Sequence, residues 1–134
     1  MTDMFVGRLM SSPVRTVTPE TTLSEAATKM YDAGIGSVVV VDGENALEGI
    51  LTATDFVRLS AEGRSAGETA VGEYMSTDVT TTTANTDLRD VADTMIEHGF
   101  HHLPVVDESE GVVGIVTTTD LTAYLSHVEA PSPE

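Results

Sequence analysis

The 134-residue chain has no cysteine, no tryptophan and a single lysine, Lys29. Without cysteine there can be no disulfide, no thiolate metal site and no thiol nucleophile. No apolar run approaches 18 residues, and the segment Met1-Thr2-Asp3-Met4-Phe5 lacks the basic head and apolar stretch of a secretory signal. The expectation is a soluble, cytoplasmic protein with no membrane span. Cationic side chains are scarce, with 6 Lys+Arg against 22 Asp+Glu and a formal net charge of −16. A field of that sign disfavours nucleic acid and anionic membrane as partners. Since 40% of residues are hydrophobic and no block of like charge occurs, the acidity is spread over a foldable domain. Such a surplus of carboxylates repels itself in dilute buffer and is screened in concentrated salt, where the Debye length falls to about 3 Å at 1 M. The balance points to a halophilic archaeon as the source.

The chain repeats itself at a shift of 65. Residues 6–56 and 71–121 align without a gap and share 20 identities in 51 positions. Met10-Ser11 falls on Met75-Ser76, Gly34 on Gly99, Val40-Val41-Asp42 on Val105-Val106-Asp107, and Gly49-Ile50 on Gly114-Ile115. Thr52, Thr54 and Asp55 fall on Thr117, Thr119 and Asp120. A long period occurring only twice predicts two equivalent halves closing on each other, not an open solenoid.

Each half reads alike. Thr16-Val17-Thr18 before Pro19 is a short extended piece, since the residue preceding proline avoids the helical region. Thr22-Leu23-Ser24-Glu25 has the capping-box pattern, and Leu23, Ala26, Ala27, Met30 and Tyr31 follow at helical spacing until Gly34. Ser37 to Val41 is a β-branched run suited to a strand covered on both faces, and Asp42-Gly43 turns the chain into a strand from Leu47 to Leu51. A helix over about 54–62 closes the half. The second half predicts an exposed strand at Thr80 to Thr83, a helix from Asp87 to His98, strands at 103–106 and 112–116, and a helix over about 119–127. The domain reading is a first repeat over 6–62, a linker over 63–70, a second repeat over 71–127 and a flexible tail over 128–134.

At these residues the chain resembles a tandem pair of cystathionine-β-synthase (CBS) domains, a Bateman module. The carriers are Met10-Ser11-Ser12-Pro13-Val14 with Val17-Thr18-Pro19, Gly34-Ile35-Gly36-Ser37 and Gly49-Ile50-Leu51-Thr52-Ala53-Thr54-Asp55. In the second half they are Met75-Ser76, Gly99-Phe100-His101-His102-Leu103-Pro104-Val105-Val106-Asp107 and Gly114-Ile115-Val116-Thr117-Thr118-Thr119-Asp120. Val39 stands where the second half has Pro104, and Asp78 stands in the place of Pro13. The resemblance implies a mixed α/β (α+β) fold of two β-α-β-β-α repeats packed about a pseudo-twofold axis. It also implies a regulatory module that binds AMP, ADP, ATP or S-adenosylmethionine in two clefts between the repeats, acts as a homodimer and answers to an unknown regulated protein. No catalytic cofactor is implied.

Carried over residue by residue, one implied cleft uses Asp120 for the ribose with Thr117 and Thr119 beside it. Thr18, Leu23, Ile35, Gly36 and Ser37 surround the adenine there, and His101 and His102 face the phosphates. The other uses Asp55, Thr52 and Thr54, with Thr83, Leu88, Phe100, His101 and His102 around the base and Gly36 and Ser37 toward the phosphates. Elementary chemistry supports such a site. A strand that ends at a threonine and turns into a helix leaves backbone N–H groups and a positive dipole end for an anion. Thr52 and Thr54 add hydroxyls, and an aspartate in the first turn either caps the N–H groups or accepts both hydroxyls of a ribose. An isolated Thr-x-x-Asp reads as no more than a capping box. Two copies within this pattern read as ligand sites.

His98, His101 and His102 do not make a metal site, because adjacent residues at a strand start point to opposite faces and no helical His-x-x-x-His pair accompanies them. His98 at a helix end suits the dipole. The sequence has no Gly-x-Ser-x-Gly, no Gly-x-x-x-x-Gly-Lys and no metalloprotease helix. The reading is therefore a stand-alone, non-catalytic sensor, with a structural protein-interaction module whose clefts stay empty as the alternative and a small nucleotide hydrolase as a distant third. The charge balance itself makes a prediction: the melting temperature rises between low salt and 2 M KCl, as thermal denaturation followed by circular dichroism will show, and a flat profile removes the halophilic reading.

Overall fold

The computed structural model describes residues 4–129. Its elements are β1 (Thr16–Val17), α1 (Leu23–Ala33), β2 (Ser37–Val41), β3 (Leu47–Thr52), α2 (Ala53–Ala61), α3 (Leu88–His98), β4 (His102–Asp107), β5 (Gly111–Thr117) and α4 (Thr118–Glu129), with short 3-10 turns at Val6–Arg8, Ala66–Glu68 and Val71–Glu73. This is the mixed α/β architecture expected. The tail expected over 128–134 lies outside the described residues from 130 onward, while residues 128 and 129 continue α4.

Local chemistry accounts for the helices. The Thr22 side chain accepts from the Glu25 amide at 3.1 Å, and Glu25 Oε1 accepts from the Thr22 amide, which satisfies two orphan donors at the start of α1. Gly34, at φ 66°, closes α1, and Gly99, at φ 70°, closes α3. Asp87 caps α3 through the Arg89 amide at 2.8 Å.

The chain divides into two compact units, each of which borrows from both repeats. One comprises residues 14–79 with 109–112, and the other, among the described residues, 4–13, 80–108 and 113–129. In the first unit, β2 is the centre of a sheet ordered β1-β2-β3, parallel to β1 and antiparallel to β3, and all five of its residues are buried. Leu23, Ala26 and Met30 of α1 pack with Val38, Val40, Leu51, Leu59 and Tyr74 in its core. Between β2 and β3, one Asp42 carboxylate oxygen accepts from the amides of Glu44 and Ala46 at 2.8 and 3.0 Å. Those two bonds hold Asp42 below the usual carboxylate range and fix the turn. In the second unit, β4 pairs with β5, and Val6, Leu88, Val91, Met95, Leu103, Val105 and Val116 form the core.

The strand expected at Thr80 to Thr83 needs correction. It is reduced to one parallel bridge, Thr82 to Val105, and Thr82 is buried, not exposed. Proline explains the loss of the ladder. In the first unit the Val39 amide donates to the Arg15 carbonyl at 3.3 Å, whereas Pro104 occupies that position in the second and has no N–H to give. The flanking bonds, Thr82 N to Pro104 O at 3.0 Å and Val106 N to Thr82 O at 2.9 Å, survive.

The segment that opens each repeat packs in the unit carrying the body of the other. Val6 and Gly7 donate to the Thr86 and Ala84 carbonyls, and Ser11 exchanges backbone bonds with Ile115 at 2.8 and 3.2 Å. Likewise Val71 and Gly72 donate to Thr21 and Pro19, and Ser76 exchanges bonds with Ile50 at 2.9 and 3.0 Å. Both crossings run over a glycine. A Cβ on Gly49 would lie 2.6 Å from the Ser76 carbonyl oxygen, and one on Gly114 would lie 2.6 Å from Met10 Sδ and 3.0 Å from the Ser11 carbonyl oxygen. Gly49→Ala is therefore expected to cost about 1–3 kcal/mol, because the atom it strikes is backbone, and Gly114→Ala less, because the thioether swings aside more easily. Urea denaturation of both variants measures the order, and an unchanged midpoint for Gly49→Ala refutes it.

Candidate functional site

Each unit holds one Thr-x-Thr-Asp turn where a strand runs straight into a helix. In the first unit β3 ends at Thr52, in extended conformation, and α2 starts at Ala53. Asp55 Oδ2 accepts from the Thr52 amide at 2.8 Å. In the second unit Asp120 Oδ2 accepts from the Thr117 amide at 2.9 Å, and the Asp120 amide donates to Thr117 Oγ1 at 3.1 Å. The capping interaction is thus present at both aspartates. It engages one carboxylate oxygen and leaves Oδ1 of each: Asp55 Oδ1 lies 3.8 Å from Arg58 Nη2, and Asp120 Oδ1 has no partner among the described residues. Capping and ligand binding therefore do not compete for the same oxygen. Thr54 and Thr119 are exposed, and Thr52 and Thr117 are half-buried.

A second strand start lies against each turn. The Ala53 amide donates to the Gly36 carbonyl at 3.1 Å, and Ser37 pairs in register with Thr52, so Gly36 and Ser37 adjoin the Asp55 turn. In the second unit the Thr118 amide donates to the His101 carbonyl at 3.0 Å, which brings His101 and His102 to the Asp120 turn. His101 is exposed and His102 half-buried. Burial pushes His102 below the usual histidine value, the neighbouring His101 pushes the same way, and the Asp120 carboxylate opposes both.

The remaining residues divide by unit. Thr18 and Ile35 are exposed in the first, and Thr83 is exposed and Phe100 half-buried in the second. Leu23 and Leu88 sit deep in their respective cores, so they support a surface from beneath and do not present a side chain to solvent. Phe100 stacks on His98 with centroids 5.4 Å apart. Among the described residues no group of three or more His, Asp or Glu is placed to hold a metal ion.

Sequence reasoning missed Arg58. Its guanidinium sits 4.2 Å above the Tyr74 ring and donates to the Tyr74 carbonyl at 3.1 Å, beside Asp55. Tyr74 is buried, donates its hydroxyl to Glu62 and receives Arg64 from 5.4 Å, while Arg64 pairs with Glu73 at 2.8 Å. The signal lay in Arg58 following Asp55 by one helical turn, but the aromatic platform comes from a distant segment.

The sequence profile of the CBS domain matches residues 6–62 and again 71–127. The chain is 39% identical over 113 residues to the CBS domain-containing protein YhcV of Bacillus subtilis, covering 84% of this chain and 79% of that one. It is 36% identical over 123 residues to an uncharacterized 17.7 kDa protein of Acidianus ambivalens, covering 92% and 74%. Among solved structures, the CBS domain pair of protein MJ0100, in complex with 5′-methylthioadenosine and S-adenosyl-L-methionine, matches with a TM-score of 0.87 at 27% identity over 95% of this chain and 99% of that one. Two profile matches spanning nearly the whole chain, on the fold of a known pair, make it a tandem pair of CBS domains and a member of the CBS domain family.

Proposed function

We propose that this CBS pair is a stand-alone, non-catalytic sensor that binds an adenosine-containing ligand, AMP, ADP, ATP or S-adenosylmethionine, at its Thr-x-Thr-Asp turns, in a concentrated-salt cytoplasm. The observation that carries the reading is the divided carboxylate: Oδ2 of each aspartate is locked by backbone, and Oδ1, near Arg58 at the first turn, is the oxygen that a ribose hydroxyl would meet at the helix N-terminus. The ligands held by the MJ0100 pair support the adenosine class. In this reading Thr52, Thr54 and Asp55 serve one ligand, and Thr117, Thr119 and Asp120 serve another. Thr18, Leu23, Ile35, Thr83, Leu88 and Phe100 form the surroundings of the base, and Gly36, Ser37, His101 and His102 adjoin the phosphates.

A second reading, a protein-interaction module whose turns stay empty, draws on Tyr31 and Ile96. These occupy equivalent helical positions and are 87% and 80% exposed. The same exposed side chains also support a homodimer, for which sedimentation of Tyr31→Glu/Ile96→Glu against the parent chain is the check: the parent sediments as a dimer and the variant as a monomer.

Ligand binding separates the readings. A ligand that binds only the native state adds about 2.7 kcal/mol at a hundredfold excess over Kd, so AMP, ATP or S-adenosylmethionine raises the melting temperature and guanine analogues do less. If none of them moves it at millimolar concentration, the interaction-module reading takes over. By calorimetry, Asp120→Ala removes the tighter phosphate-dependent event, by about tenfold or more, because histidine donors adjoin that turn. Phosphate raises the His102 pKa from its lowered starting point, so binding takes up a proton and affinity grows as pH falls toward that lowered value. Loss of the tighter event in Asp55→Ala instead, or an affinity that falls as pH falls, overturns the assignment of the histidines.

A further inference from the structure

The two units differ beside the segment that precedes the first helix of each repeat, β1 in the first and the Thr82 bridge in the second. In the first unit the lysine at position 29, on α1, reaches across to the strand, and its Nζ donates to the Thr16 carbonyl at 2.9 Å. The repeat places Thr94 of α3 at the position of Lys29 and Thr81 at that of Thr16. Thr94 is too short to make the same reach, and its hydroxyl turns back to the Asp90 carbonyl at 3.0 Å. Among the described residues nothing donates to the Thr81 carbonyl. Where the lysine side chain would run, the second unit has a recess of about 280 Å³.

The lining of this recess is chemically one-sided. Thr81, Thr83, Thr86 and Thr94 bring hydroxyls, and Asp90 brings a carboxylate. Thr83 and Thr86 already share a hydrogen bond at 3.0 Å, so their remaining lone pairs act as acceptors. Val91 and Leu103 give an apolar floor. No cationic side chain lines it, and the net charge of −16 favours cations further.

We propose that this recess binds a small primary alkylammonium, whose head group replaces the Lys29 ammonium at the Thr81 carbonyl and beside Asp90, and whose methylenes lie over Val91 and Leu103. An ammonium has three donors and no acceptor, which matches a lining of carbonyl, hydroxyl and carboxylate oxygens. A phosphate or carboxylate would meet Asp90 and the protein's own field. This site is independent of the nucleotide reading, since it includes neither aspartate of the Thr-x-Thr-Asp turns; Thr83 alone is common to both.

The test is titration of the full chain, at constant ionic strength in KCl, with n-butylammonium chloride and with tetramethylammonium chloride, followed by amide chemical shifts. Butylammonium is expected to give saturable shifts confined to residues 81–86 and 90–94, and tetramethylammonium, which has no N–H, to give none. Asp90→Asn weakens binding about two- to fivefold, the size of an exposed charge pairing. Thr94→Lys supplies the ammonium internally and abolishes binding, and Thr94→Met, which fills the recess without charge, abolishes it as well. Linear shifts without saturation, equal shifts with tetramethylammonium, or binding that survives in Thr94→Lys would each overturn the proposal.

Discussion

The exchange of opening segments over Gly49 and Gly114 is the constraint on which the site geometry rests. β3 and β5 each run directly into the helix that carries a site aspartate. Ser76 and Ser11 pair with Ile50 and Ile115, two residues before Thr52 and Thr117, and so satisfy backbone groups that an open strand edge would leave unpaired. A side chain at either glycine would push that pairing away and release the strand end from which the helix departs. Stability and the position of each strand end are thus set by the same close approach, and Gly49-Ile50 and Gly114-Ile115 are the same dipeptide in both repeats while the residue before the glycine changes from Glu48 to Val113.

At the turns themselves, one structural requirement serves two ends. A helix beginning directly after a strand has orphan N–H groups, and an aspartate at the third helical position reaches back to the last strand residue. That bond fixes the carboxylate's plane and its rotamer. The remaining oxygen is then held in one direction at no further entropic expense, which is what a binding group needs. Capping therefore orients the carboxylate without using both of its oxygens.

How much of this was readable from the chain follows from the range of each interaction. Thr22 to Glu25, Asp42 to Ala46 and Thr117 to Asp120 act within one turn, and the residues that form α1, β2 and the helix starts carry their own signals. The strand expected at Thr80 to Thr83 failed because its partner decides it: Pro104, some twenty residues on, withholds the amide that Val39 supplies in the other half. Threonine's β-propensity could not reveal that. The exchange of opening segments was likewise silent, since a repeat read along the chain does not say which body its first residues join. Arg58 was legible as a charge after Asp55 but not as a cation held over Tyr74, sixteen residues further on.

The halves diverge most where they face charge. Positions 58 and 123 are arginine and alanine, positions 37 and 102 serine and histidine, and positions 29 and 94 lysine and threonine. Arg58 is held over the Tyr74 ring and by the Tyr74 carbonyl. His102 is different, because burial and the neighbouring His101 lower its pKa while the Asp120 carboxylate opposes them. Two copies of one turn, each with its aspartate bonded back to the last strand residue, therefore differ in the group set beside the carboxylate: a guanidinium at Asp55 and a partly buried imidazole at Asp120.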